Sequence, residues 1–326
     1  MFHDLILPVI LGLALFLFGM KLMETALHAW AGPRLIKLLH TSTKTPLTGL
    51  ISSTFITAVL QSSTAMTVMT IGLVNAGLLS YARTLGIILG GNIGTCLTTE
   101  LIALDISSYG LPLLTISLLL WATAVTGEEY STGKYFSHRL HYLRPLQYGS
   151  LALAGFSLIM IAIRWMQSIG PQLEAYGIID RLLVHAGDSL LWGALAGAAV
   201  TALIHSSAAA IAMTMGLVSS GALPVPLGIA MVIGSNVGTC VTALIASIGG
   251  TKSGKFVALS HVILNLVGAL LFLPFVSLLQ TVVSWITNDA AVQIAHSQTL
   301  FNVISSLLAL PFCYLPLWSR LDHSTK

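Results

Sequence analysis

Residues 57–104 read TAVLQSSTAMTVMTIGLVNAGLLSYARTLGIILGGNIGTCLTTELIAL, and residues 201–248 read TALIHSSAAAIAMTMGLVSSGALPVPLGIAMVIGSNVGTCVTALIASI. Aligned without a gap, 18 of the 48 pairs are identical, against roughly a tenth expected by chance in so apolar a composition. The identities concentrate at polar and glycine positions, so shared hydrophobicity alone does not explain them. The chain therefore contains an internal duplication with an offset of 144 residues.

Composition places this duplication in a membrane protein. Of the 326 residues, 56% are hydrophobic and 8% are charged, with a mean hydropathy of +0.91, whereas soluble domains carry about 25% charged residues. The apolar residues form long runs such as 5–20 and 256–285, which predict membrane-spanning helices. We therefore expect an all-α, polytopic membrane protein forming one transmembrane domain over 1–326.

The positions of the basic residues predict the topology. We interpret the chain as seven spans and two hairpins. The spans lie at about 4–26, 82–104, 111–126, 145–166, 223–249, 256–284 and 296–318, and the hairpins are 47–60 with 64–79 and 189–203 with 207–222. With the N-terminus outside and the C-terminus cytoplasmic, twelve of the 14 Lys and Arg residues face the cytoplasm, as the positive-inside rule requires. This predicts a multi-pass protein of the bacterial plasma membrane.

The same topology makes the two copies antiparallel. If each hairpin is re-entrant, three crossings separate the first hairpin from the second. Because three is odd, the hairpins enter from opposite sides. We therefore predict inverted repeats at about 47–126 and 189–284 with a closing span at 296–318, an architecture common in secondary transporters.

Polar clusters interrupt the apolar segments at matching places. Gln61-Ser62-Ser63-Thr64 and His205-Ser206-Ser207 lie at the centres of the hairpins, and an Asn-x-Gly-Thr sequence follows in each copy. Helices can break inside a membrane only within protein or beside water, so we expect interrupted helices around one midplane site. The candidate binding residues are Gln61, Ser62, Ser63, Thr64, Asn92, Thr95, His205, Ser206, Ser207, Asn236 and Thr239.

These residue types suit both an anion and a hard cation. Helix N-termini and hydroxyl donors hold phosphate-like anions, whereas hydroxyl and carbonyl oxygens hold sodium. No Lys or Arg lies within either hairpin, so an anion there needs countercharge in its low-dielectric site, which a co-bound cation would supply. The alternative is that the serines and threonines bond back to helical carbonyls or join neighbouring helices; their repetition at equivalent positions favours a functional site.

Several isolated polar residues are ambiguous. His205 replaces the glutamine of the first copy and could be a ligand, a pH sensor or a structural hydrogen-bonding group. Asn302 and the pair His261 and Asn265, four residues apart, suit contacts between helices. Glu100 is either a functional acid or exposed at the membrane interface. Residues 28–40 suggest an interfacial amphipathic helix.

At these motifs the chain resembles the type II sodium–phosphate cotransporter family over nearly its whole length. The resembling segments are LFLFGMKLMETAL, TAVLQSSTAMTV, GGNIGTCLT, HSSAAAIAM, GSNVGTCVTALIA, SHVILNLVGALLFLP and TLFNVISSLLALPF. The resemblance implies sodium-driven uptake of inorganic phosphate, with sodium as the coupling ion and no other cofactor. The family's binding residues map onto Gln61, Ser62, Ser63 and Thr64 in one hairpin and onto Ser206 and Ser207 in the other, flanked by the Asn and Thr of each Asn-x-Gly-Thr.

The chain also departs from that family. His205 stands where glutamine is usual, Thr64 and Ala208 where serine is usual, and Gln298 where histidine is usual. Many bacterial members carry a C-terminal cytoplasmic helical domain, which we expect to be lacking since the sequence ends at Lys326.

Three alternatives stay open: a carrier of another anion, a proton-coupled carrier acting through His205, and a membrane phosphate sensor that does not transport. An enzyme is not expected, because no nucleophile–base constellation, metal motif or nucleotide loop is present. The scattered basic residues indicate no nucleic-acid partner.

Overall fold

The computed structural model describes residues 7–104, 109–130, 137–167 and 189–318, in which every regular element is a helix. The α-helices are α1 (Leu7–Ser42), α2 (Pro46–Leu60), α3 (Ser63–Asn75), α4 (Tyr81–Ala103), α5 (Gly110–Tyr130), α6 (Ser137–Gln167), α7 (Leu190–Ile204), α8 (Ser207–Ser219), α9 (Val225–Gly238), α10 (Cys240–Ala246), α11 (Lys252–Phe272), α12 (Val276–Ser284) and α13 (Ala290–Ala309). Short 3₁₀ turns, Leu273–Phe275 and Leu310–Tyr314, follow α11 and α13. The predicted all-α fold class is confirmed.

Within the described residues, six helical segments are long and apolar enough to cross a membrane. They are Ile10–Gly32, Tyr81–Ala103, Gly110–Gly127, Leu143–Trp165, Val225–Ala246 and Lys252–Ser284. Each overlaps a predicted span, and the first lies six residues later than predicted. The seventh predicted span, 296–318, overlaps α13, whose buried polar side chains such as Gln298 and Asn302 lower its apolar character. The chain is a multi-pass membrane protein.

The hairpin helices are shorter than these spans. Helices α2 and α7 have 15 residues each, and α3 and α8 have 13 each. At about 1.5 Å per residue they reach roughly 20–22 Å, less than the roughly 30 Å hydrocarbon core of a bilayer. These lengths suit re-entrant hairpins, although re-entry and inversion stay predictions.

Helix α1 differs from the interpretation of its sequence. A separate interfacial helix was expected at 28–40, but α1 runs without interruption over 36 residues from Leu7 to Ser42. No residue of α1 has a positive φ, so no turn separates the two parts. The separate interfacial helix is therefore wrong as an element.

The chain forms two compact units. The first comprises Met1–Ile36, Val59–Gln61 and Asp105–Ile169. Within it α1 and α6 cross closely, because a Cβ on Gly19 would lie 2.7 Å from the carbonyl oxygen of Gly155. The second unit comprises Lys37–Ala58, Ser62–Leu104 and Gly170–Lys326. The described parts of both sequence copies belong to this second unit, except residues 59–61.

Matching glycines pack the first helix of each hairpin onto the span that follows it. A Cβ on Gly90 would collide with the carbonyl oxygen of Leu50, and a Cβ on Gly234 would collide with that of Ala194. One turn further on, Gly94 meets Thr57 and Gly238 meets Thr201 in the same way. Each residue of a contact in the first copy lies 144 residues before its counterpart in the second copy. The duplicated sequences therefore also make the same packing contacts.

A second, shorter repeat relates α11 to α13. Residues 260–275 (SHVILNLVGALLFLPF) align with 297–312 (SQTLFNVISSLLALPF) at an offset of 37, and both segments end in a 3₁₀ turn. Asn265 thereby aligns with Asn302 and His261 with Gln298. This repeat escaped the sequence interpretation, which treated each of these residues separately.

The two repeats combine into one pattern of helix contacts. Helix α3 packs against α10 and α11, and correspondingly α8 packs against α4 and α13. Helix α4 packs against α11 and α13, as α9 does. Positions 144 residues apart in the hairpin copies, or 37 apart in α11 and α13, are therefore quasi-equivalent, and each hairpin lies against the following span of the other copy.

Candidate functional site

The two hairpin turns have the same backbone conformation. Gln61 has a φ of 56° and His205 a φ of 58°, and these are the positive-φ non-glycine residues of the described chain. Ser62 and Ser206 follow in extended conformation, with φ of −148° and −147°. A left-handed glutamine or histidine costs about 1–3 kcal/mol. The same strained backbone conformation occurs at both quasi-equivalent positions, so the two copies share the conformation of the turn as well as its sequence.

Each turn opens a helix with a serine cap. The Ser62 hydroxyl accepts a hydrogen bond from the Ala65 amide at 3.1 Å, and the Ser206 hydroxyl accepts one from the Ala209 amide at 3.2 Å. The first turns of these helices, which begin at Ser63 and Ser207, contain further backbone amides. These amides have no carbonyl partner within the helix, as at every helix N-terminus. The sequences 45–82 and 189–251 contain no charged residue, so the positive helix dipole of each N-terminus lies in a segment without charged side chains.

The hairpin residues differ in exposure. Gln61, Ser62, Ser63, Thr64 and Ser206 are partly exposed. Ser207 is buried, whereas His205 is exposed. Three of the four serines at the turns are therefore not fully buried.

Two further hydroxyls were missed by the sequence interpretation. Thr57 and Thr201 lie on the last turns of α2 and α7, both are 0% exposed, and neither hydroxyl has a hydrogen-bond partner among the described residues. By contrast, the Thr70 hydroxyl on α3 donates to the Met66 carbonyl at 2.7 Å. Their identity in the aligned repeat, TAVLQSS with TALIHSS, was the available signal.

The predicted helix breaks at the two Asn-x-Gly-Thr sequences have different outcomes. In the second copy α9 ends at Gly238 and α10 begins at Cys240, but Thr239 between them keeps helical dihedrals, with φ −62° and ψ −21°, so the interruption is limited to one residue. In the first copy α4 is continuous from Tyr81 to Ala103, so the predicted break at Asn92–Thr95 is wrong. Gly94 instead permits close packing, since a Cβ there would lie 2.6 Å from the Thr54 carbonyl oxygen.

Most polar side chains of these sequences bond to their own helices. Thr95 donates to the Gly91 carbonyl at 2.9 Å, Thr239 to the Asn236 carbonyl at 2.6 Å, and Asn236 Nδ2 to the Val232 carbonyl at 3.0 Å. Asn92 differs, because its Nδ2 donates to Asn265 Oδ1 on α11 at 3.0 Å. Asn265 therefore joins two helices, as its sequence position suggested.

Buried polar residues of α11 and α13 face the two spans. His261, Asn265, Gln298 and Asn302 are each at most 5% exposed. Cys96 on α4 contacts the Gln298 carbonyl and Asn302, while its quasi-equivalent, Cys240, contacts the His261 carbonyl at 3.5 Å. Thr99 also donates a hydrogen bond to Gln298 Oε1. The contacts of α4 with α13 and of α10 with α11 are thus partly polar, although these helices are largely apolar.

Glu100 belongs to a polar cluster between α4 and α13. Its carboxylate lies 3.0 Å from His296 Nδ1 and accepts a hydrogen bond from the Thr299 hydroxyl. The Glu100 and His296 side chains are each 27% exposed. The quasi-equivalent positions in the other copy are Leu244, Leu259 and Val262, so these positions are polar in one copy and apolar in the other.

This asymmetry predicts a coupled effect on stability. Glu100→Leu or His296→Leu alone should destabilise the protein by about 1 kcal/mol, because one polar partner stays half-buried without the other. The double variant should lose less than the sum, since it reproduces the Leu244 and Leu259 arrangement. Thermal unfolding in detergent measures this as a double-mutant cycle; strictly additive losses would show that the two side chains do not interact.

Comparison with known proteins gives the family. The family model described as Na+/Pi-cotransporter matches residues 15–168 and 170–306. The Bacillus subtilis protein YqeW, whose name states no activity, is 33% identical over 309 residues, which is 94% of both chains. YjbB of Escherichia coli, named for inorganic phosphate export, is 28% identical over 308 residues, 94% of this chain. YjbB of Salmonella typhimurium is 26% identical over 311 residues, 95% of this chain.

The chain spans about half of these YjbB proteins, 53% and 54% of their lengths. No solved structure matches the chain. The family match covers both hairpins, both Asn-x-Gly-Thr sequences and most of α13. This protein therefore belongs to the Na+/Pi-cotransporter family, a family of phosphate transporters.

Proposed function

We propose that this protein is a sodium-coupled symporter of inorganic phosphate, and that phosphate binds at the two serine-capped turns. The observation that carries the proposal is the pair of quasi-equivalent helix N-termini at Ser62–Ser63 and Ser206–Ser207. Amides and hydroxyls at an N-terminus are suited to phosphate oxygens, and no charged side chain lies in either hairpin sequence. Gln61, Thr64 and His205, which adjoin these serines in sequence, would provide the remaining polar side chains of the proposed site.

Sodium coupling follows from the electrostatics of such a site. A phosphate dianion held only by dipoles in a low-dielectric environment is poorly compensated. Sodium ions that bind beside it supply positive charge, so the two solutes stabilise one another. The oxygens available to sodium include those of Asn92, Thr95, Asn236 and Thr239.

Transport would proceed by alternating access. In this proposal the copies are inverted in the membrane, the hairpins are re-entrant, and the hairpins with α4 and α9 move relative to the other spans. Net direction then depends on the combined gradients of sodium and phosphate. This accommodates both the uptake implied by the family name and the export for which the YjbB relatives are named.

Reconstituted liposomes test the proposal. Radiolabelled phosphate should enter vesicles faster under an inward sodium gradient than under an equal choline gradient, and sodium loaded inside should drive efflux. Uptake that is unchanged by removal of sodium would exclude sodium coupling. Wild-type protein that binds phosphate but never moves it would instead indicate a sensor.

The proton-coupled alternative makes a different prediction at His205. If protons drive transport through His205, His205→Gln should abolish uptake driven by a pH gradient. We expect instead that uptake by His205→Gln still requires the sodium gradient, because glutamine occupies the quasi-equivalent position 61. Comparison of pH-gradient-driven and sodium-gradient-driven uptake in wild type and variant distinguishes these outcomes.

A further inference from the structure

Two quasi-equivalent asparagine pairs lie on helices that pack together, α4 with α11 and α9 with α13, and the first pair is hydrogen-bonded. Asn92 on α4 donates from Nδ2 to Asn265 Oδ1 on α11. The quasi-equivalent pair is Asn236 on α9 with Asn302 on α13, two helices that also pack together. There, Asn236 Nδ2 donates to Val232 of its own helix. The second pair thus lacks the hydrogen bond of the first.

The missing hydrogen bond leaves a buried oxygen unsatisfied. Asn302 is 1% exposed, and its Oδ1 has no hydrogen-bond partner among the described residues. A buried amide oxygen without a donor costs about 1–3 kcal/mol, and such an atom in a folded protein needs an explanation such as an ion that binds there.

The orientation of both amides follows from their neighbours. The Cys96 thiol donates to the carbonyl oxygens of Asn92 and Gln298, at 3.6 and 3.8 Å. Its sulfur therefore acts as the acceptor for Asn302 Nδ2 at 3.4 Å, which leaves Oδ1 on the opposite side of the amide. The Val232 carbonyl can only accept, so Asn236 presents Nδ2 to it, and its Oδ1 points away from that carbonyl.

We propose that Asn302 Oδ1, with Asn236 Oδ1, binds the coupling sodium ion between α9 and α13. A buried amide oxygen without a donor, such as Asn302 Oδ1, suits a hard cation, which takes oxygen ligands. At the first pair, the Nδ2–H group of Asn92 donates to the corresponding oxygen of Asn265, so Asn265 offers no buried oxygen that lacks a donor. The inference rests on the proposed sodium coupling and adds a ligand from α13, outside both hairpin copies.

Sodium-dependent thermal stability tests this site without transport. A ligand that binds the folded state raises its stability with concentration, so wild-type protein in detergent should melt at higher temperature as NaCl replaces choline chloride at constant ionic strength. Asn302→Leu should shift the sodium concentration at half-maximal response at least tenfold higher or remove the response. Asn302→Asp, which keeps an oxygen and adds charge, should retain it with a lower midpoint.

The quasi-equivalent residue provides the matched control. Asn265→Leu removes a side chain of the same type, depth and spacing, but its oxygen already has a donor, so the sodium response should persist. A wild-type-like sodium response in Asn302→Leu would overturn the inference, whether or not Asn265→Leu keeps its own response. If Asn302→Leu does not fold, an unchanged midpoint in Asn302→Asp overturns the inference.

The test separates this inference from the proposed function. If phosphate uptake by wild type requires sodium but Asn302→Leu keeps its sodium response, the Asn302 site is wrong and sodium coupling stands. If wild type shows neither a sodium response nor sodium-dependent uptake, both are wrong.

Discussion

Alanine at Gly234 should destabilise the protein by on the order of 3 kcal/mol, the upper end of the range for overpacked cores. A Cβ at this position would collide with the carbonyl oxygen, carbonyl carbon and Cα of Ala194. These atoms belong to the backbone of α7, so no side-chain rotation can relieve the collision. Gly90→Ala should behave similarly, because its Cβ would meet the Leu50 carbonyl oxygen and Ser53 Oγ.

Thermal unfolding in detergent and the yield of monodisperse protein measure this effect. Gly72→Ala is the matched control, since no atom lies within 4 Å of the added Cβ and alanine favours the helix by about 1 kcal/mol over glycine. Gly234→Ala protein as stable as Gly72→Ala protein would contradict the close packing of α7 on α9.

The second large effect concerns the capping serines. Ser62→Gly and Ser206→Gly should each reduce phosphate affinity by roughly 10- to 150-fold, because each removes a hydroxyl hydrogen bond to a charged oxygen, worth about 1.5–3 kcal/mol. Glycine is chosen because it replaces a capping serine at a cost of only a few tenths of a kcal/mol, whereas alanine costs about 1 kcal/mol. The folded structure should therefore persist while binding is lost.

Equilibrium binding of radiolabelled phosphate, with melting temperature recorded on the same samples, measures this prediction. Ser80→Gly is a control at another helix start, where the serine makes no side-chain cap. Serine variants that bind phosphate as wild type does would show that the hydroxyls serve only to cap α3 and α8.

The hairpins illustrate what sequence can predict. The pairs Ser62 with Ser206 and Gly77 with Gly221 were visible in the alignment, and the structure gives them matching backbones: both glycines have a positive φ, 71° and 76°. Local sequence determines caps and turns, so a duplicated local sequence predicts a duplicated local structure. The αL conformation of Gln61 and His205 was not predicted, because only a few per cent of non-glycine residues have a positive φ.

Tertiary packing explains where the prediction failed. The same Asn-x-Gly-Thr letters leave α4 continuous and interrupt α9, so the motif alone does not determine a break. Likewise, the partners of Glu100 and Asn302 lie about 200 residues away in sequence, beyond any periodicity argument. The repeat between α11 and α13 was the one sequence signal that related them, and its offset of 37 is easily hidden between apolar helices.

The central claim is that both hairpins contribute to one phosphate site. Its most direct test is the stoichiometry of phosphate binding to purified protein in sodium, measured for wild type, Ser62→Gly and Ser206→Gly. One phosphate per chain in wild type, weakened to a similar extent by either substitution, is the predicted result. Two phosphates per chain, with one lost in each variant, would show two separate sites and contradict the account.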